Sequence, residues 1–147
     1  MLSFKKFMHK TEEEKDIQQT LEKLPKLHRN LVKDFKYKLH AGNTLNGDSE
    51  HVGYMDPAKK EIAAAAPYRY SREMTILHEI AHVVWDHLMS NELRDRWATI
   101  VKRTKNKQNQ SAQELFCMAY AATYSHNPPS IHDHPEWNKF ISEELPK

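Results

Sequence analysis

Ser71-Arg72-Glu73-Met74-Thr75-Ile76-Leu77-His78-Glu79-Ile80-Ala81-His82-Val83-Val84-Trp85-Asp86-His87-Leu88 is the stretch from which the rest of the sequence can be read. Ser71 is a helix N-cap, Glu73 places negative charge in the first turn, and apolar residues follow on most of the circumference. That distribution predicts a helix buried within a domain. Inside it sits a complete HExxH, His78-Glu79-Ile80-Ala81-His82. Positions four apart share a helix face, so His78 and His82 can offer two imidazole nitrogens to one metal ion. Glu79 is placed to accept a proton from a water on that metal. Burying such polar groups without partners costs about 1 to 3 kcal/mol each, and a metal with its water would satisfy them together. The other reading is that both imidazoles merely bond to the backbone.

A zinc site needs a third protein ligand and an open position for water. The extended HExxHxxGxxH pattern is absent, because Trp85 stands where its glycine belongs and Leu88 where its histidine belongs. His87, five residues past His82, is about 140° round the helix and points away from the metal face. Asp86 lies nearer that face and suits an outer role, hydrogen-bonding a ligand rather than the metal. Glu114, in Ser111-Ala112-Gln113-Glu114-Leu115-Phe116-Cys117, is the remaining candidate. Ser111 and Glu114 also make a capping box, in which the carboxylate bonds back to the helix start. Spacing leaves both roles open.

An HExxH, some tens of residues, and then Glu114-Leu115-Phe116-Cys117-Met118-Ala119-Tyr120 resembles the catalytic domain of anthrax lethal factor and related bacterial zinc peptidases, the Pro-Pro endopeptidases among them. The ending His134-Pro135-Glu136-Trp137-Asn138-Lys139-Phe140-Ile141 is similar to the Pro-x-x-x-x-Phe-Ile of that family. The resemblance implies a zincin-like domain of the gluzincin kind, with one zinc per chain on His78, His82 and Glu114 and with Glu79 as base. Cys117 and Tyr120 depart from the family pattern, and Lys107 stands where the family places an oxyanion-stabilising tyrosine. Tyr68, Tyr70, Tyr120 and Tyr124 are the substitutes the sequence offers, and none matches by position. The chain also resembles phage and mobile-element antirepressor peptidases, with their His-Glu-Ile-Ala-His helix followed by a glutamate-bearing helix; that resemblance implies the same metal site.

Bulk properties bound the alternatives. The chain has 147 residues, 39% of them hydrophobic, which predicts one domain with a real core over residues 1–147, its first 24 residues a helical extension. A single cysteine permits no internal disulfide. No apolar run is long enough for a signal peptide or a membrane span, so the expected compartment is the cytoplasm and no membrane partner is expected. A net charge of +2 is too small to argue for nucleic acid. A monomer acting on a peptide or protein substrate is the expected state.

Along the chain, Thr11 with Glu14 makes a capping box, and Ile17, Leu21 and Leu24 recur at helical spacing before Pro25. Leu27, Leu31, Val32 and Phe35 outline a second helix. Phe35, Tyr37 and Leu39 then alternate with polar residues as a half-buried strand. Residues 42–49 are turn-rich, and two more strands flank an Asp56-Pro57 turn. The expected fold is α+β: a small antiparallel sheet packed against the HExxH helix, with further helices N- and C-terminal. Ala63-Ala64-Ala65-Ala66, just upstream of that helix, is a candidate edge strand for β-addition of a peptide, or else an ordinary strand with alanine on both faces.

Two further clusters read as surface features. The basic residues Arg94, Arg96, Lys102, Arg103, Lys105 and Lys107 suit a solvated helix end and loop, and Trp97 alone offers no base-stacking platform. His126, His132 and His134 fall in a loop that enters a last helix at Pro135, with Trp137, Phe140 and Ile141 spaced to pack it on the domain. The expected function is zinc-dependent endopeptidase activity. Its rivals are a zinc-binding protein that has lost catalysis and acts by protein contact, and an interaction module in which Glu114 is only a cap.

Overall fold

A computed structural model describes residues 12–45, 51–66, 71–104, 110–126 and 134–147. In chain order these form α1 (Glu12–Glu22), α2 (Lys26–Val32), β1 (Lys36–Leu39), β2 (Gly53–Asp56), β3 (Glu61–Ala64), α3 (Arg72–Leu88), α4 (Asn91–Arg103), α5 (Ala112–Tyr124) and α6 (Pro135–Glu143). The class is α+β, with six helices and three strands among the described residues.

The HExxH helix, α3, is the hub. Ser71 caps it as its sequence predicts, its Oγ accepting from the Met74 N–H at 3.2 Å. The helix continues unbroken through Trp85, whose ring packs against Phe116 at 5.2 Å while the Arg94 guanidinium lies 4.9 Å from its centroid. One apolar cluster joins α3 to residues of α1, α2, the sheet, α4, α5 and α6. The helix α1 packs on α3, with Leu24 buried just beyond its end.

The sheet corrects the expected antiparallel arrangement. Its order is β1-β3-β2, with β2 antiparallel to β3 but β1 parallel to it. The cause lies in the connections. An Asp56 turn, whose Oδ1 accepts from the Ala58 and Lys59 N–H groups, returns β2 directly onto β3. The longer connection from β1 to β2 lets β3 enter between them. The alanine run is therefore not an edge: Ala63 and Ala64 belong to the central strand, and Ala63, Ala64 and Ala65 are fully buried. Among the described strands the edges are β1 and β2.

Ile62 and Ala64 face the helices, while Ala63 and Ala65 pack with Leu45 on the other side. Gly53 explains how closely β2 approaches α3. A Cβ there would stand 2.8 Å from Thr75 Cγ2, 3.0 Å from the Ala63 carbonyl oxygen and 3.3 Å from Glu79 Cγ. Only glycine fits the contact.

The α2 face also differs from expectation. Leu27 is exposed, and the next residue, His28, is wholly buried beside Val32. His28 earns the core position through two bonds: Nε2–H donates to the Pro146 carbonyl at 2.6 Å and Nδ1 accepts from the Tyr120 hydroxyl at 2.9 Å. A neutral imidazole satisfies both partners at once.

In the C-terminal half, Trp97 is fully buried against Phe116, Trp137 and Phe140, and its Nε1–H donates to the Ala112 carbonyl at 2.7 Å. Pro135 opens α6, and Trp137, Phe140 and Ile141 are buried, as their spacing predicts. Arg96 and Arg103, both largely exposed, pair with Glu144 and Glu136. No helix among the described residues is long and apolar enough to cross a membrane.

Candidate metal centre

The packing of α3 against α5 brings His78, His82 and Glu114 together. His78 Nε2 lies 3.0 Å from Glu114 Oε2, and His82 Nε2 lies 3.2 Å from Glu114 Oε1. The two imidazole rings stand 5.4 Å apart between centroids. Donors around a tetrahedral zinc with ~2.0 to 2.1 Å bonds stand roughly 3.3 Å apart, so the nitrogen and carboxylate spacing fits that ion. Two neutral nitrogens and one carboxylate are also a chemically suitable zinc set.

The two roles open to Glu114 divide between its backbone and its side chain. Ser111 Oγ caps α5 by accepting from the Glu114 N–H at 3.1 Å, while the Glu114 carboxylate is directed at the histidines. The same residue can therefore cap through its amide and serve the site through its oxygens.

Gln113 was not singled out by the sequence reading. Its Nε2 donates to His82 Nδ1 at 2.9 Å. Rotation of the amide by half a turn offers its carbonyl instead, so Gln113 can hold either tautomer of the ring. It occupies the supporting position at His82 that the sequence reading gave to Asp86. Asp86 is exposed and acts on His82 through its charge. The only hint of Gln113 in the sequence is that it precedes Glu114.

Glu79 lies on the same helix with 8% of its surface exposed and no hydrogen-bond partner among the described residues. Burial pushes its carboxyl up to about 7, with the Glu114 charge adding to the rise and His78 opposing it. Burial lowers the basicity of His82, against the pull of Glu114. The His78 hydrogen bond holds the Glu114 carboxyl below the usual range. One carboxylate is thus kept ionised between the imidazoles while its neighbour is held near the neutral range, the division of labour a proton acceptor requires.

Cys117, three residues past Glu114 on α5, is the second residue the sequence reading did not place here. It is wholly buried, and its Sγ, one ring nitrogen of His78 and one of His82 all lie within 4.8 Å of one another. Spacing from Glu114 by one turn was the available signal.

The oxyanion candidates fare differently. The Tyr120 hydroxyl is committed to His28 and its side chain is fully buried, which removes it from any substrate. Tyr124 packs its ring 4.9 Å from that of Tyr120. Tyr68, Tyr70 and Lys107 lie outside the described residues, as do Thr11 and His132. Among the described residues His126 and His134 join no second metal cluster: His126 Nδ1 lies 2.5 Å from Glu73 Oε2, and His134 stacks on Trp137 at 4.1 Å. Comparisons of the chain with protein-family models, with curated proteins and with solved structures find no match.

Proposed function

We propose that this protein is a zinc-dependent endopeptidase with a zincin-like plan, in which His78, His82 and Glu114 hold one ion and Glu79 is the general base. The observation that carries the reading is the convergence of three zinc-type donors, two from α3 and one from α5, at 3.0 and 3.2 Å. When bound, the ion supplies Lewis acidity to a water and to a peptide carbonyl. Glu79 accepts the proton of the attacking water and returns it to the leaving amine. Its buried setting favours both halves of that exchange, because a carboxyl held near pH 7 gives up a proton as readily as it takes one. Gln113 orients His82. The edge of β2, beside Glu79 through Gly53, is the place for backbone pairing with an extended peptide.

The test is the zinc content of the purified protein together with cleavage of a peptide library by wild type and by Glu79→Gln. One zinc per chain and cleavage lost in the variant support the reading; cleavage retained in Glu79→Gln overturns it.

A second reading keeps the metal without the chemistry: a zinc-binding protein acting by protein contact. It is favoured by the commitment of the Tyr120 hydroxyl to His28, which takes that oxyanion donor away. Stoichiometric zinc without cleavage of any library member distinguishes it.

A further inference from the structure

Glu114 and Cys117 are one helical turn apart on α5 and both face the histidine pair of α3, from opposite environments. The Glu114 side chain is 43% exposed and approaches from the solvent side, whereas Cys117 is 0% exposed and belongs to the core. Donors about a zinc with nitrogen and sulfur bonds of ~2.0 to 2.3 Å stand roughly 3.5 Å apart, so a separation within 4.8 Å leaves about an ångström of adjustment. A second buried group points to the same place. Glu79 is more than nine-tenths buried, has no hydrogen-bond partner among the described residues, and lies close enough to His78, Glu114 and Cys117 for charge to act among them.

We infer that Cys117 is a further metal donor, entering the centre from its buried side next to His78 and His82 and making it selective for a thiophilic divalent ion. The inference rests on the zinc-site reading of the two histidines. A thiolate beside two imidazoles selects zinc or cobalt over magnesium or calcium, which demand oxygen donors. On coordination the Cys117 thiol releases its proton to solvent as the sulfur–metal bond forms.

Cobalt(II) titrated into the full chain, in buffer free of added thiols, tests this by spectroscopy rather than by activity. Cys117 is the sole cysteine, so a thiolate-to-cobalt charge-transfer band in the near ultraviolet can have no other origin within the chain. The expected result is such a band in the wild type at one cobalt per chain. Cys117→Ser should lose the band and weaken cobalt binding by more than roughly 10-fold, the loss of a donor exceeding that of an outer partner. Should that variant not fold, the wild-type spectrum decides by itself. Stoichiometric cobalt without the band overturns the role of Cys117 and leaves the three-donor site intact. No cobalt bound by the wild type overturns both.

Discussion

Nε2 of His78 stands 3.0 Å from a carboxylate oxygen of Glu114, a residue 36 positions further along the chain and on a different helix. That contact turns a helical motif into a site, because it supplies the third donor that two histidines on one face cannot provide for themselves. It also separates two roles that share one residue. Glu114→Ala should weaken zinc binding by more than roughly 100-fold, beyond the loss typical of an outer partner. Ser111→Ala should cost α5 about 1 kcal/mol of capping stability with zinc affinity nearly unchanged. Zinc titration and denaturant unfolding of both variants check the division; equal zinc loss in the two would refute it.

Gln113 should matter through His82. Gln113→Ala is expected to lower zinc affinity by roughly 10- to 100-fold, with the fold unperturbed by circular dichroism. An affinity indistinguishable from wild type would mean that the ring needs no such support.

Glu79→Gln should retain zinc and lose turnover by roughly 10²- to 10⁴-fold. It should also stabilise the metal-free protein. The Glu79 carboxyl is raised in the folded state from 4.5 to about 7, so its contribution to stability is full below 4.5 and is lost as pH rises through about 7. At pH 8 to 9 the neutral amide avoids a buried charge and should raise stability by on the order of 2 kcal/mol. Urea unfolding of both proteins after chelation, at pH 5 and pH 8.5, measures the difference.

Gly53→Ala should destabilise the fold by about 1 to 3 kcal/mol, since its methyl group meets Thr75 and the Ala63 carbonyl. The displacement falls on Glu79 as well, so turnover should drop with zinc content unchanged. A variant as stable as wild type would show that β2 can withdraw from α3 at no cost.

The buried His28 makes stability depend on acid. Burial lowers its basicity from the usual 6.5, against the opposing effect of its bond to Pro146. Above 6.5 the ring is neutral in both states and the contribution is fully present; it is lost as pH falls below 6.5 towards the lowered folded value. Between pH 7 and pH 5 this loss opposes the gain from Glu79, so the chelated wild type should lose stability relative to His28→Leu as the pH falls through that window. An identical pH profile in the variant would exclude His28 as the source.

The sequence alone determined the HExxH helix, because its cap, its apolar circumference and its i, i+4 histidines are local properties of one segment. It likewise determined Pro135 as a helix start, the Asp56 turn and the alternation of Phe35, Tyr37 and Leu39, each set by periodicity or by one residue's backbone preference. Only the tertiary structure decided the rest. Strand order depends on where a long connection lands, which no alternation encodes, and so the alanine run became the centre of the sheet rather than its edge. His28 displaced Leu27 from the core because Tyr120 and the Pro146 carbonyl, both distant in sequence, satisfy its two nitrogens. Gln113 and Cys117 joined the histidines because α5 packs across α3 at one angle, a property of two packed surfaces and of neither helix alone.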